Sequence, residues 1–483
     1  MDRKIFLNYL YNIFYQIVKI VLPFFLVPYT MSHLGASVLG INDFASNIAN
    51  WFILFGILGI NIYGNRQLAK VRDDRKELSK QFFEILTVQL INMLISTILY
   101  VLYIVFCVKE NSLIYYLVII TVISSAFDIT WLYYAVENFK TVSIRNVFVK
   151  LLGVICIFIF IKKPEDLWLY VVINGASDLI GHIITYSGLH KYIDFVPFSI
   201  KEAYKKHLTP TFMLFIPTIA NNVYALLDQT MLGFMIEDKS AVALYKAAQG
   251  FVKMFIYFIT SIGAVVMPRI SNLFGKGNSK DKIESFINQS FGLVCLLALP
   301  MMLGMAAISP NFFGWYLPEE QEIVILVQIS CPLILLLSLN NLYGTQYLVP
   351  TEHTNEFTIS TIVGACVNCV ANFILIRLFG AIGACLGSVI AETSTILVQR
   401  HYVRRDIKVK GNKCLFKCLF ASIVMAFVVY YAGESLSSSF INNLIQVLMG
   451  VIVYVFILAL LKEENFKYYF DKIIKKDNHE KTI

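Results

Sequence analysis

The sequence predicts an all-α integral membrane protein with about 14 transmembrane helices. Hydrophobic residues make up 58% of its 483 residues and charged residues only 15%, whereas soluble domains contain about 45–50% apolar and about 25% charged residues. The mean hydropathy is +0.68. Apolar runs of about 20 residues, long enough to cross a bilayer as a helix, recur along the whole chain. We therefore expect helices, not barrel strands, to cross the membrane.

Each predicted span is an apolar run bounded by polar or charged residues. The first run follows Asp2, Arg3 and Lys4, exceeds the apolar part of a signal peptide and lacks a small-residue cleavage site. We therefore expect an uncleaved first span. The fourteen predicted spans are 6–30, 37–62, 81–108, 113–137, 143–161, 165–189, 208–234, 242–268, 284–308, 321–349, 357–376, 381–400, 414–432 and 441–461.

The distribution of Lys and Arg predicts the orientation of these spans. With the N-terminus inside, the inner loops and termini receive 30 of these residues and the outer loops receive five. This asymmetry follows the positive-inside rule. Because the number of spans is even, both termini are expected in the cytoplasm. The net charge of +8 then reflects topology and contact with anionic membrane lipid, and it does not indicate nucleic-acid binding.

A possible internal repeat divides the chain. The stretch "GASVLGINDFA" opens span 2 and "DKSAVALYKAA" opens span 8, each after a long span and a short outer loop. Such duplications are common in transporters, which place the substrate site between the two halves. We predict an N-lobe over 1–197 (spans 1–6) and a C-lobe over 198–400 (spans 7–12). Residues 401–483 add spans 13 and 14 and a basic cytoplasmic tail.

Polar residues follow one face of several spans. In span 1, Asn12, Gln16 and Lys19 recur at steps of three or four, which places them on one side of a helix. A charge at mid-membrane costs about 2.5–3.5 kcal/mol on insertion scales, so this face should meet other helices or water. Further polar positions within spans are Lys150 in span 5 and Lys246, Gln249 and Lys253 in span 8.

Two interpretations of the buried charges remain open. They could form structural salt bridges, for example between Lys19 and Asp43 or between Lys253 and Asp228. Alternatively, they could line a water-filled cavity that binds an anion, with carboxylates coupling transport to Na⁺ or H⁺. The candidates for ion coupling are Asp43, Asp128, Asp178 and Asp228.

The sequence favours a transporter over an enzyme. It contains no HExxH, GxSxG or P-loop motif, and its outer loops are too short for a catalytic domain. Cys366 and Cys369 form a CxxC without a second pair or a nearby His, so small apolar packing residues are the simpler interpretation. We expect no metal site and no cofactor, apart from a coupling Na⁺ or H⁺.

Several strings resemble the bacterial polysaccharide repeat-unit flippases. This family belongs to the superfamily of multidrug, oligosaccharidyl-lipid and polysaccharide exporters. The most specific string is "DITWLYYAVENFKTVSIRNVFVKLLGVICIFIFIKKPEDLWLY", from Asp128 to Tyr170. Others are "GINIYGNRQLAKVRDD", "LLDQTMLGFM", "ALYKAAQ", "MPRISNLFGKGN" and "GAIGACLGSVIAE". The resemblance covers about the whole chain.

The resemblance implies a MATE-like fold of two six-helix bundles around a central cavity, plus two extra helices, working by alternating access. It implies an undecaprenyl-pyrophosphate-linked oligosaccharide or teichoic acid precursor, moved from the inner to the outer leaflet of the bacterial cytoplasmic membrane. The cationic cavity positions of the family would be filled here by Lys19, Arg145, Lys150, Lys246 and Lys253. We expect a monomer that could contact an envelope-polymer polymerase or glycosyltransferases.

Two related transporter classes are alternatives. A cation-coupled drug antiporter of the same superfamily would need an acidic cavity, which four lysines within spans disfavour. A lipid II flippase is a further relative, but the Asp128–Tyr170 string favours the repeat-unit branch.

Overall fold

The computed structural model describes residue 18 and residues 21–275, 280–409 and 412–467, and within these ranges every regular element is a helix. Twelve helices of the described part are long and apolar enough to cross a membrane. The predicted spans 6–30 and 208–234 correspond to a shorter apolar helix, α1 (Val21–Leu34), and to α9 (Ile200–Met235). The predicted all-α membrane class is confirmed.

The chain divides into two compact units, Met1–Ala243 and Leu244–Ile483. Besides α1 and α9, the helices of the first unit are α2 (Ala36–Ile57), α3 (Ile60–Lys70), α4 (Arg75–Cys107), α5 (Ser112–Ala126), α6 (Thr130–Ala135), α7 (Phe139–Phe160) and α8 (Leu167–Tyr186). The core of this unit contains the fully buried Phe82, Trp131 and Tyr133.

The second unit contains the remaining helices and one π-helical segment. They are α10 (Ser240–Gly275, whose first residues belong to the first unit), α11 (Lys280–Tyr316), α12 (Glu322–Ser330), α13 (Pro332–Asn340), the π-helix Asn341–Leu348, α14 (Thr354–Phe379), α15 (Ala381–Asp406), α16 (Asn412–Glu434) and α17 (Phe440–Leu460). α16 and α17 pack against α11, so the predicted extra pair of spans belongs to the compact core of this unit.

Side-chain caps explain where several helices begin. Asp74 accepts hydrogen bonds from the backbone N–H groups of Lys76 and Glu77 at the start of α4. Asn138 caps α7 by accepting from the Thr141 N–H, and Ser199 begins α9. These caps satisfy N–H groups that a helix leaves without an internal partner. They let α4 and α9 begin several residues before the apolar runs that predicted spans 81–108 and 208–234.

Two of the predicted spans are broken helices. Span 37–62 consists of α2 and α3, separated at Leu58 and Gly59, and Leu58 has a positive φ of 51°. Span 113–137 likewise consists of α5 and α6. Hydropathy does not reveal these breaks, because Leu58, Phe127 and Ile129 are apolar and a single Gly59 or Asp128 leaves the average over each span high.

Large apolar side chains cover the outer faces of many helices. Phe106 of α4, Phe416 and Phe427 of α16 and Ile452 of α17 are all strongly exposed in the protein alone. A soluble protein rarely exposes contiguous apolar surface on this scale, whereas lipid tails would cover it. The exposed apolar faces agree with a chain that crosses the membrane many times.

The compact units do not follow the boundary predicted between the lobes at 197/198. α9, predicted as the first helix of the C-lobe, packs against α2, α3 and α4 and so falls within the first unit. The lobes 1–197, 198–400 and 401–483 describe parts that would move during transport, and they remain a prediction.

Candidate functional site

The break between α5 and α6 holds one of the predicted carboxylates in place. The side-chain Nε2 of Gln89, on α4, donates to the carbonyl oxygens of Ala126 (3.0 Å) and Asp128 (2.9 Å). Trp131 Nε1 donates in turn to Gln89 Oε1 at 3.0 Å. Buried carbonyl groups at a helix break need such donors. Together these hydrogen bonds fix the backbone of Asp128.

Asp128 faces a histidine on α8. Its Oδ1 accepts from the Thr130 N–H at 2.9 Å and lies 3.9 Å from His182 Nε2. His182 Nδ1 lies 2.8 Å from the Ser124 carbonyl oxygen. Because a carbonyl oxygen only accepts, Nδ1 carries the hydrogen of that bond. The opposite nitrogen, Nε2, faces the Asp128 carboxylate.

The two predicted cations of α7 have different surroundings. Arg145 is buried, and its Nη1 donates to the Gly181 carbonyl oxygen (2.9 Å) and the Thr185 hydroxyl (2.7 Å) of α8. Lys150 is about half exposed, with its Nζ 3.9 Å from Asp178 Oδ1. Arg145 thus ties α7 to α8, whereas the Lys150 ammonium is accessible to an anion.

These residues form a polar cluster within the first unit, which we call the α7–α8 cluster. Its members come from the α5–α6 break, α7 and α8, and they are Asp128, Arg145, Lys150, Asp178 and His182. Two predicted cations and the predicted carboxylate Asp128 thereby contact α8, which carries the second carboxylate, Asp178.

The two other predicted carboxylates of the first unit lie on α2 and α9, which pack against each other. Asp43 is partly buried and accepts from Asn42 Nδ2 at 3.3 Å. Asp228 is buried on α9. Across this interface, Asn47 Nδ2 and Trp51 Nε1 both donate to the Thr230 hydroxyl, at 2.7 and 2.8 Å. The polar stripe of span 2 therefore faces α9, as expected for polar residues within a membrane span, which face other helices and not lipid.

The second unit carries the predicted residues of span 8 on α10. Gln249 is buried, and its Nε2 donates to the Ser330 hydroxyl of α12 at 3.3 Å. Lys246 is exposed and Lys253 is partly exposed. Their spacing of three and four residues around Gln249 keeps all three on one face.

Three predicted residues of span 1, namely Asn12, Gln16 and Lys19, lie outside the described residues. The suggested pairs Lys19–Asp43 and Lys253–Asp228 stay predictions, as do the binding and coupling roles of the whole set.

The first unit also contains a buried ionic cluster that the sequence patterns did not predict. Glu84 of α4 accepts from Lys206 Nζ (2.6 Å) and from His207 Nε2 (2.8 Å) of α9. A glutamate within the apolar run "FFEILTV" was the available signal. His207 gave none, because it follows two lysines in a segment typical of a solvated basic loop.

A second buried network was also missed, in the second unit. Glu392 of α15 is buried and accepts from Asn340 Nδ2 at 3.0 Å, and Gln399 Nε2 donates to Asn340 Oδ1 at 3.0 Å. Gln399 lies seven residues after Glu392, so one face of span 12 is polar. That spacing was readable from the sequence.

Comparison with known proteins supports a membrane exporter. The chain is 23% identical over 412 residues to the putative O-antigen transporter of Escherichia coli (strain K12), covering 83% of this chain and 96% of that protein. It is 28% identical over 392 residues to the putative O-antigen transporter of Shigella dysenteriae, covering 78% and 94%.

The fold has a close match among solved structures. The lipid II flippase MurJ, in an inward closed conformation, superposes with a TM-score of 0.76 over 97% of this chain and 100% of that chain, at 17% identity. At this identity the match shows a shared fold. It confirms the predicted architecture of about 14 helices.

Two family models match the sequence. The MatE model covers residues 214–392, less than half of the chain. The model described as "Polysaccharide biosynthesis protein" covers residues 5–274, more than half of the chain. The protein is therefore a member of the polysaccharide biosynthesis protein family with a MurJ-like helical membrane fold.

Proposed function

We propose that this chain is a flippase for an undecaprenyl-pyrophosphate-linked oligosaccharide or a teichoic acid precursor, moved from the inner to the outer leaflet by alternating access. The observation that carries the proposal is the nearly full-length match to two proteins named as putative O-antigen transporters. The protein acts as a transporter and not as an enzyme.

The polar residues within the spans suit the parts of such a substrate. A pyrophosphate needs cations in a region of low dielectric constant, and Lys150, Lys246 and Lys253 supply point charges of that kind. Asn, Gln, Ser and Tyr side chains of the stripes can hydrogen-bond the sugar. The polyprenyl tail can stay in lipid, so the protein needs no apolar cavity for it.

The membrane potential favours the proposed direction. Moving one negative charge outward, in a cell that is negative inside, releases about 2.3 kcal/mol per 100 mV. The transfer of a pyrophosphate to the outer leaflet is therefore energetically favourable. Coupling to Na⁺ or H⁺ at Asp43, Asp128, Asp178 or Asp228 would add to this driving force.

The proposal includes a location and partners. The distribution of Lys and Arg supports a bacterial cytoplasmic membrane protein with both termini inside. We expect the lipid-linked glycan to be built inside and polymerised outside. Contact with a glycosyltransferase or a polymerase would therefore shorten the substrate's path, and the protein would act as a monomer.

Deleting the gene in the organism that carries it tests the proposal. The expected result is loss of a surface polymer together with a rise in its lipid-linked precursor, quantified by mass spectrometry of extracted lipids. Restoring the gene should reverse both changes. An unchanged precursor and an unchanged surface polymer would contradict the proposal.

A cation-coupled drug antiporter is the second candidate, favoured by the match of the MatE model to residues 214–392. It predicts that the deletion strain becomes sensitive to toxic organic cations while its surface polymer stays normal. A third outcome, accumulation of lipid II with cell lysis, would instead identify a lipid II flippase.

A further inference from the structure

A cavity of about 300 Å³ lies in the second unit, near the ends of α10 and α15 and the start of α11. Such a volume is at the lower end of ordinary small-molecule pockets. The distribution of Lys and Arg predicts that these three helix ends lie on the cytoplasmic side. Lys246, Gln249 and Lys253 do not line this cavity, so it is distinct from the residues of α10 proposed for the transport substrate.

The floor of the cavity is buried and comes from the π-helix and the turn that follows it. Tyr347 and Thr351 both line the cavity and are 3% and 4% exposed. The His353 N–H donates to the Leu348 carbonyl oxygen at 2.9 Å, five residues earlier, which continues the wide hydrogen-bonding pattern of the π-helix. Such segments are frequent at functional sites.

A histidine and a carboxylate face each other above this floor. The Thr351 hydroxyl donates to the Tyr347 carbonyl oxygen at 2.7 Å, so it accepts from His353 Nδ1 at 3.0 Å. This bond holds His353 Nε2 3.6 Å from Asp406 Oδ2, to which the Tyr347 hydroxyl also donates at 3.4 Å. Because a carboxylate offers about four acceptor positions and the Asp406 side chain is 38% exposed, Asp406 can accept further hydrogen bonds from a ligand.

Hydrogen bonds tie two walls of the cavity together. The Lys408 N–H donates to Glu284 Oε2 at 3.0 Å, and Asn288 Nδ2 donates to the Lys408 carbonyl oxygen at 3.0 Å. They join α11 to the segment that follows α15. Ile283 and Ile407, which lie beside these bonds and line the cavity, are 6% and 3% exposed. The cavity is therefore preformed.

The charges that line the cavity have opposite signs. Lys280, the first residue of α11, is exposed and lines the cavity together with Asp406. The adjacent Arg405 contacts His401 and lies over the Tyr402 ring, and it does not line the cavity. A ligand with only a phosphate would meet the Asp406 carboxylate, and one with only an ammonium would meet Lys280. The site suits a ligand that carries both groups.

We propose that this cavity binds a phosphate ester that carries a primary ammonium, with the ammonium at Asp406 and the phosphate at Lys280. The source that fits is the headgroup of phosphatidylethanolamine, because Leu273 and the 39% exposed Phe274 add apolar surface to the lining at the predicted membrane boundary. A quaternary ammonium cannot donate a hydrogen bond to Asp406, so phosphatidylcholine should bind less well.

Native mass spectrometry of the full-length protein, delipidated in dodecyl maltoside, tests the site. Phosphatidylethanolamine should bind about tenfold more tightly than phosphatidylcholine or phosphatidylglycerol with the same acyl chains, since only it donates to a buried-edge carboxylate. Equal binding of the three lipids would overturn the proposal. Soluble glycerophosphoethanolamine distinguishes the two sources of this chemistry: it should displace the lipid poorly, and displacement at equal concentration would overturn the lipid as the ligand.

Matched variants locate the binding. Asp406→Asn should abolish the preference for phosphatidylethanolamine, whereas Asp281→Asn changes an exposed carboxylate that does not line the cavity and should keep it. A preference that survives Asp406→Asn would contradict the proposal.

Lys280→Gln decides the question if Asp406→Asn fails to fold, because the Lys280 side chain is exposed. It should weaken phosphatidylethanolamine binding severalfold, and Lys282→Gln, an exposed lysine outside the lining, should not. Unchanged binding in Lys280→Gln would overturn the assignment. None of these measurements involves transport, so their outcome is independent of the proposed function.

Discussion

At the scale of single residues, the predicted cations fall into two physical classes. Arg145 is buried and donates to two oxygens of α8, so its charge is used within the protein. Lys150 is about half exposed and keeps its ammonium accessible. The sequence identified both as cations within a span. Only the tertiary structure shows that Arg145 links α7 to α8, whereas Lys150 is a candidate anion ligand.

This difference predicts opposite effects on stability. Arg145→Gln should lower the free energy of unfolding by about 2 kcal/mol, because it removes a charged donor from two buried acceptors. Lys150→Gln should leave stability almost unchanged. Thermal unfolding of both purified variants in the same detergent measures the difference, and equal shifts would contradict the assignment.

Asp128 is the predicted carboxylate most suited to ion coupling, because its backbone is held by Gln89 and its side chain lies 3.9 Å from His182 Nε2. Asp128→Asn keeps an oxygen for the Thr130 N–H but removes the charge. We expect export of the surface polymer to lose its response to proton and sodium ionophores.

The matched control for this experiment is Asp166→Asn. Asp166 likewise accepts from backbone N–H groups, those of Lys162 and Lys163, but it lies outside the α7–α8 cluster. It should keep the wild-type response. An Asp128→Asn variant with an unchanged ionophore response would remove Asp128 from the coupling candidates.

At the scale of helices, hydropathy predicted the spans well and their internal breaks poorly. The runs 143–161 and 441–461 closely match α7 and α17, because apolar residues fill most of each helix in spite of polar positions such as Arg145 and Lys150. The break at Leu58 and Gly59 and the cluster around Glu84 depend on α9, more than 100 residues further along the chain. Partners at that separation leave no periodic signal in one sequence.

The crossing of α9 over the broken helix gives a prediction about packing. Gly59→Ala would place a methyl group within 3 Å of α9 backbone atoms, which cannot move as a flexible side chain can. We expect a clear fall in the thermal midpoint. Gly250→Ala on α10, where nothing lies within 4 Å, should have no effect or raise it slightly. A Gly59→Ala variant as stable as Gly250→Ala would contradict the described packing.

At the scale of the whole molecule, the number of helices and the fold were predictable because a bilayer restricts a chain to few architectures. The family match adds the identity of the protein family, which composition alone does not provide. The compact units were less predictable, since α9 packs with the helices of the first unit although the repeat pattern assigned it to the second half.

The predicted topology can be tested with reporter fusions. Alkaline phosphatase joined after Lys109 or Lys239 should be active, because these loops are expected outside, and fusions after Lys70 or Arg405 should be inactive. Green fluorescent protein at the C-terminus should fluoresce. The reverse pattern, or a periplasmic C-terminus, would contradict the orientation inferred from the positive-inside rule.

The most direct test of the central claim measures export in a strain that carries only a Lys19→Ala, Lys253→Ala double variant. If these cations bind the pyrophosphate, the surface polymer should be lost and its lipid-linked precursor should accumulate, while the protein is still made and folded. Lys19→Arg with Lys253→Arg should retain part of the export, and Lys109→Ala with Lys163→Ala should retain all of it. Normal surface polymer in the Lys19→Ala, Lys253→Ala strain would contradict the account.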